Sequence, residues 1–156
     1  MGEESEEDDE GATSTTAAPE LADTECEALH SVELGVEWLH RAHGDLVRFH
    51  HQVGHAMDHL ADAEAEFREA GHDDLADAIR DAYLPRGVID EDRWSYDVLE
   101  SFEEGFLADL EAFERETREE IADGHRHVAE RRQERVWKRR AEESNQSASD
   151  DGTDPS

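Results

Sequence analysis

The chain has 156 residues, 44 of them Asp or Glu and 15 Lys or Arg, for a formal net charge of −29 with the histidines neutral. That length corresponds to one small domain with tails, and no apolar run approaches the ~20 residues that a membrane-spanning helix requires. A single cysteine, Cys26, excludes an internal disulfide framework and a cysteine-only metal cage.

Residues 1–23 open on Glu3, Glu4, Glu6, Glu7, Asp8, Asp9 and Glu10 and pass through Gly, Ala, Ser and Thr to Pro19, the composition of a disordered acidic tail. They lack the basic start and apolar stretch of a secretory signal, and a cytoplasmic location is expected. A myristoylation signal would also need Ser or Thr where Glu6 stands.

A helical domain is expected over 24–143. Thr24 followed by Glu27 reads as a capping box at a helix start. One stripe then runs Leu29, Val32, Val36, Leu39, His43, Leu46, His50, Val53, Met57, Leu60, Glu64 and Phe67, with steps alternating three and four. This sevenfold repeat is the pattern of a helix packed along a seam. Beside it, also seven apart, lie Ala28, Gly35, Ala42, Phe49, Ala56, Ala63 and Ala70, mostly small enough to let a partner helix come close. Gly44 and Asp45 are stop and start signals, but the stripe keeps its register through them, so one helix from about residue 25 to 70, roughly 70 Å long, is expected to end at Gly71.

Asp73 to Tyr83 predicts a short helix with Leu75, Ile79 and Tyr83 on one face, closed by a turn at Pro85, Arg86 and Gly87. A third helix is expected from Asp90–Asp92 to about Arg140, burying Trp94, Val98, Phe102, Phe106, Leu110, Phe113, Thr117, Ile121, Gly124 and Val128. The mean spacing of these positions exceeds 3.6 and departs from the strict repeat of the first helix. Residues 144–156 hold no large apolar side chain and read as a second tail.

The expected fold class is all-α: a long antiparallel helical hairpin with a short connecting helix, pairing with a second copy into a four-helix bundle or coiled-coil-like assembly. Such a hairpin would lay the acidic start of the first helix (Glu25, Glu27, Glu33, Glu37) beside the basic end of the third (Arg126, Arg131, Arg132, Arg135, Lys138, Arg139, Arg140). That pairing accounts for the basic segment better than nucleic-acid binding, since contacts to phosphate weaken steeply with salt.

Only Lys138 among the basic residues is a lysine, while carboxylates are spread along almost the whole chain. This composition resembles the proteome-wide style of salt-in halophilic archaea. The resemblance implies that the acidity answers a molar-salt cytoplasm, where the Debye length is only ~3 Å, and says nothing about a basic partner.

Ten histidines are present, seven of them between His30 and His59. His43 and His50 fall on the seam. They stand about 10 Å apart along the axis, too far to share an ion, and the expected hairpin places them opposite Glu116 and Glu120. In a dimer these groups would face a common interior, the general plan of ferritin-like and hemerythrin-like metal bundles. His51, His55 and His59 form a row at four-residue spacing, the helical spacing by which two imidazoles grip one ion, with Asp58 and Asp62 as possible oxygen ligands. For both groups the competing reading is structural: seam histidines satisfied as core polar groups, and a solvated face. The Glu-x-x-His string of ferritin-like sites occurs at Glu27–His30, Glu37–His40 and Glu69–His72, off the seam or at the helix end, without a counterpart on the third helix.

No phosphate-cradling loop, nucleophile elbow or zincin string is present. Cys26 lies between Glu25 and Glu27, which disfavours a thiolate, and is expected to pack or to bridge a dimer. The sequence therefore points to a non-enzymatic helical module without a cofactor, acting on itself or on an unidentified protein partner. A histidine and carboxylate site for a transition metal such as Zn or Fe is the alternative.

Overall fold

The computed structural model describes residues 18–150, and every helix or strand-length element in that range is helical. The acidic run ahead of Ala18 and residues 151–156, where the sequence predicts tails, lie outside the described residues.

Helix α1 spans Asp23–Glu69, 47 residues, or roughly 70 Å at 1.5 Å per residue. It starts earlier than the Thr24 cap predicts. The Ala22 N–H donates to Glu25 Oε2 at 3.0 Å, and Asp23 and Glu25 place negative charge at the positive end of the helix dipole. Arg132 fixes this start from across the fold, donating to Asp23 Oδ1 at 2.6 Å and to the Leu21 carbonyl at 2.8 Å. The helix runs unbroken through Gly44 and ends where Gly71 takes φ +83°, a left-handed conformation that glycine adopts without strain.

Every one of the 12 stripe positions is at least half-buried, but only Leu29 is buried outright. The neighbouring column of small residues is exposed except at Ala63.

Helix α2, Asp73–Ala78, continues into a π-helical turn, Ile79–Tyr83, and packs back on the end of α1. Arg68 ties the two together through Glu64 and Asp77, each at 3.1 Å. The inward face differs from the one the sequence predicts: Ala76 and Ile79 are buried, while Leu75 and Tyr83 are exposed. A small residue at the contact lets the short helix approach α1 closely. The loop that follows is held by the Gly87 N–H, which donates to Asp92 Oδ1 at 2.7 Å. A Cβ on Gly87 would lie 2.6 Å from the backbone N and O of Arg93, so only glycine fits there.

The second half of the chain then runs back along α1. Helix α3, Ser95–Phe102, is opened by the Trp94 N–H donating to Asp97 Oδ2 at 2.8 Å. A second π-helical turn, Glu103–Leu107, follows, with Gly105 at non-helical φ −99° and ψ −109°. Helix α4, Ala108–Ala122, ends at Asp123, and helix α5 spans Val128–Asp150.

The single third helix expected to Arg140 is thus broken. Asp123, Gly124 and His127 all adopt positive φ, and the Gly124 N–H folds onto the Arg118 carbonyl at 3.0 Å, so the chain turns a corner. The π-helical turn has a separate effect. By adding a residue to one turn it brings Leu107 inward, and Phe106 and Phe113, which the spacing would bury, stand 63% and 49% exposed. Helix α5 also continues past Ser144, so residues 144–150 of the expected tail are helical.

The tightest packing is at this corner. Cys26 and Leu29 of α1 are buried against Ala122 and Val128, with Leu21, Ile121 and Ala129 around them. Ala76, Ile79, Ser95 and Leu107 are buried outside this corner, and no large side chain among the described residues is completely buried. No helix among them is long and apolar enough to cross a membrane.

Candidate functional site

Because α1 is one continuous helix, the histidines on its inner side meet whatever the returning chain brings opposite. Four of them do so. His50 Nδ1 lies 2.8 Å from Ser95 Oγ at the start of α3, and His43 Nε2 donates to Glu103 Oε1 at 2.7 Å in the π-helical turn. His40 Nε2 is 3.1 Å from Glu111 Oε1 of α4, and His30 Nδ1 is 3.3 Å from Glu130 Oε1 of α5. The His43 ring also stacks on Phe102, with centroids 6.2 Å apart.

Glu116 and Glu120, the partners expected for His43 and His50, are not brought to them. Both are exposed, lining a shallow recess with Arg115, Arg118 and Glu119. The reason is register. The sequence places the turn midway between residues 71 and 92, but α2 folds back along α1, so the returning arm begins opposite His50 at Ser95 and reaches His43 at Glu103. Each seam histidine then has one hydrogen-bonded partner from the other arm, and neither joins a converging group of three ligating side chains among the described residues.

His51, His55 and His59 are exposed, as are Asp58 and Asp62. His51 tilts against His50 at 5.7 Å between centroids, and the three hold no hydrogen bond or ion pair among the described residues. The Glu-x-x-His pairs are not used either: Glu37 binds Arg41 at 2.7 Å, and His72 sits edge-on to Phe67. Among the described residues the basic end of α5 meets the acidic start of α1 at one ion pair, Arg132 with Asp23, while Arg131 and Lys138 both turn to Glu134 within their own helix.

One group of ligating side chains does converge among the described residues. His30 and Glu33 on α1 and Glu130 on α5 each offer a donor atom, all within 4.8 Å of one another. Glu33 Oε1 accepts the His127 N–H at 3.2 Å, which anchors this carboxylate to the corner. The spacing of His30 and Glu33, one helical turn apart, was a signal available in the sequence. Glu130 was not, because its position depends on the break at Asp123–His127.

The carboxyls held below their usual range lie away from the histidines. Arg80 lowers Asp81 by direct hydrogen bonding, and Lys138, then Arg131, lower Glu134. Glu64 and Asp77 raise Arg68 in the same way.

Comparison with known proteins finds no matching family model, no similar curated protein and no similar solved structure.

Proposed function

We propose that the chain is a non-enzymatic self-association module, a helical hairpin that pairs with a second copy of itself into a four-helix bundle in a molar-salt cytoplasm. The observation that carries this reading is the half-covered stripe of α1. From Val32 to Phe67 every stripe position stays partly open after the rest of the chain has packed on it. Apolar surface left in water in this way favours association by ~25 cal/mol per Å² once covered.

A second α1 is the occupant that fits. A repeat of seven sustained over most of a 47-residue helix is matched along its whole length by another helix of equal length and repeat. The flank beside the stripe is built for close approach. Ala28, Gly35, Ala42 and Ala56 are exposed, Gly35 has nothing within 4 Å of where a Cβ would sit, and Leu34, Trp38 and Phe49 border them in water. On the returning arm Phe106 and Phe113, seven residues apart, add a second exposed apolar pair. Two chains of −29 repel at low ionic strength, and salt removes that repulsion.

Sedimentation equilibrium in about 2 M KCl, where screening is nearly complete, tests the reading. The expected mass is twice the 17.7 kDa of the chain. It should fall toward the monomer on dilution into low salt. Trp38 is 66% exposed, so Trp38→Glu should leave the helix content unchanged by circular dichroism and yield monomers. A monomer at every salt concentration overturns the proposal.

A further inference from the structure

We propose that His30, Glu33 and Glu130 bind one divalent transition-metal ion that bridges α1 to α5 beside the Asp123–His127 corner. The site lies within a single chain and does not depend on self-association.

The geometry is close to what such an ion needs. With metal–nitrogen and metal–oxygen distances of ~2.0–2.2 Å, tetrahedral donors stand about 3.4 Å apart. His30 Nδ1 and Glu130 Oε1 are already 3.3 Å apart, and the whole set lies within 4.8 Å, so small side-chain adjustments, chiefly of the exposed Glu130, close the rest. Glu33 is held by the His127 N–H, the kind of outer contact that keeps a ligating carboxylate oriented.

A second observation points the same way. His30 Nδ1 is shielded from solvent, and its 3.3 Å approach to Glu130 Oε1 lacks the direction of a hydrogen bond, although native structures rarely leave a buried polar atom unsatisfied. A bound ion would take that lone pair, with the proton residing on the other ring nitrogen.

The donor set also selects the class of ion. Two carboxylates neutralise a divalent charge, and the imidazole favours zinc, iron or nickel over magnesium and calcium, which prefer oxygen alone. Water fills the remaining positions. Of the neighbouring cations, Arg132 is engaged by Asp23 and the Leu21 carbonyl. Arg126 shares a recess with Glu33 and Glu130 but forms no ion pair with either among the described residues. Bound there, the ion fastens α5 to α1 beside the left-handed corner at Asp123–His127.

Untagged full-length protein, stripped with a chelator, is titrated with Zn²⁺ by calorimetry and with Co²⁺ by visible absorption, in high salt. One Zn²⁺ per chain is expected, together with d–d bands from Co²⁺, a raised melting temperature, and at least tenfold preference over Mg²⁺. His30→Gln and Glu130→Gln, both checked for unchanged helix content, should each weaken binding by at least about tenfold, since even outer contacts to a metal site are worth that much. The triple variant His51→Ala, His55→Ala, His59→Ala should bind as the wild type does. No zinc uptake overturns the assignment, and so does uptake that survives both single variants or disappears in the triple one.

Discussion

At the start of α1, Cys26 and Leu29 are buried against Ala122 and Val128, whereas farther along the same helix His43, Leu46 and His50 remain half-buried against α3 and the π-helical turn. The same sevenfold stripe runs from Leu29 through His43, Leu46 and His50, so the difference comes from what lies opposite. At the corner, small Ala122 and the left-handed Asp123 and Gly124 let the returning chain wrap over the end of the stripe. In the middle, the π-helical turn rotates Phe106 outward and leaves histidines facing single polar partners. The chain buries side chains at the corner and again at Ala76 and Ile79, and leaves the stripe of α1 between Val32 and Phe67 half-buried.

Substitutions can break this contrast. Leu29→Ala, at a position 5% exposed, should cost about 2–4 kcal/mol in denaturant unfolding, while Phe106→Ala, 63% exposed, should cost under about 1 kcal/mol in the monomer. Similar losses from the two in a protein shown to be monomeric would mean that the middle is as tightly packed as the corner. A smaller effect of opposite sign is expected at Gly44, where a Cβ would meet nothing within 4 Å. Gly44→Ala should stabilise by about 0.5–1 kcal/mol through helix propensity alone, and a loss of stability or of assembly would reveal a neighbour on that face.

Acid provides the finest probe. Asp81 beside Arg80, and Glu134 between Lys138 and Arg131, have folded-state proton affinities below the ordinary carboxyl value. Their contribution to stability is therefore present above the unfolded-state pKa and is lost as pH falls through the lowered folded-state value. Both pairs are exposed, so the loss should be small and should shrink further in molar salt. Acid titration of Glu134→Gln against the parent chain, at low and high salt, measures it.

The first helix could be read from the sequence almost residue by residue. A repeat of seven kept from Leu29 to Phe67 admits one inward face, and Gly44 could not interrupt a helix whose apolar register passed through it unchanged. The returning arm could not be read in this way. Gly105 and Gly124 each redirect the backbone locally, one within a π-helical turn and one in a left-handed corner, and apolar spacing carries no record of either. The site shares that division. His43 and His50 were visible as seam residues, but their partners Glu103 and Ser95 depend on α2 folding back. The partner of His30 depends on the break before α5.

The length of α1 also decides how the molecule moves through solution. A compact chain of 156 residues has a radius of gyration of about 15 Å, yet α1 alone extends over roughly 70 Å. Friction on such a rod greatly exceeds that on a sphere of equal mass. A single chain will therefore leave a sizing column early, where a globular protein of larger mass would elute, and only light scattering or sedimentation equilibrium will count its copies correctly.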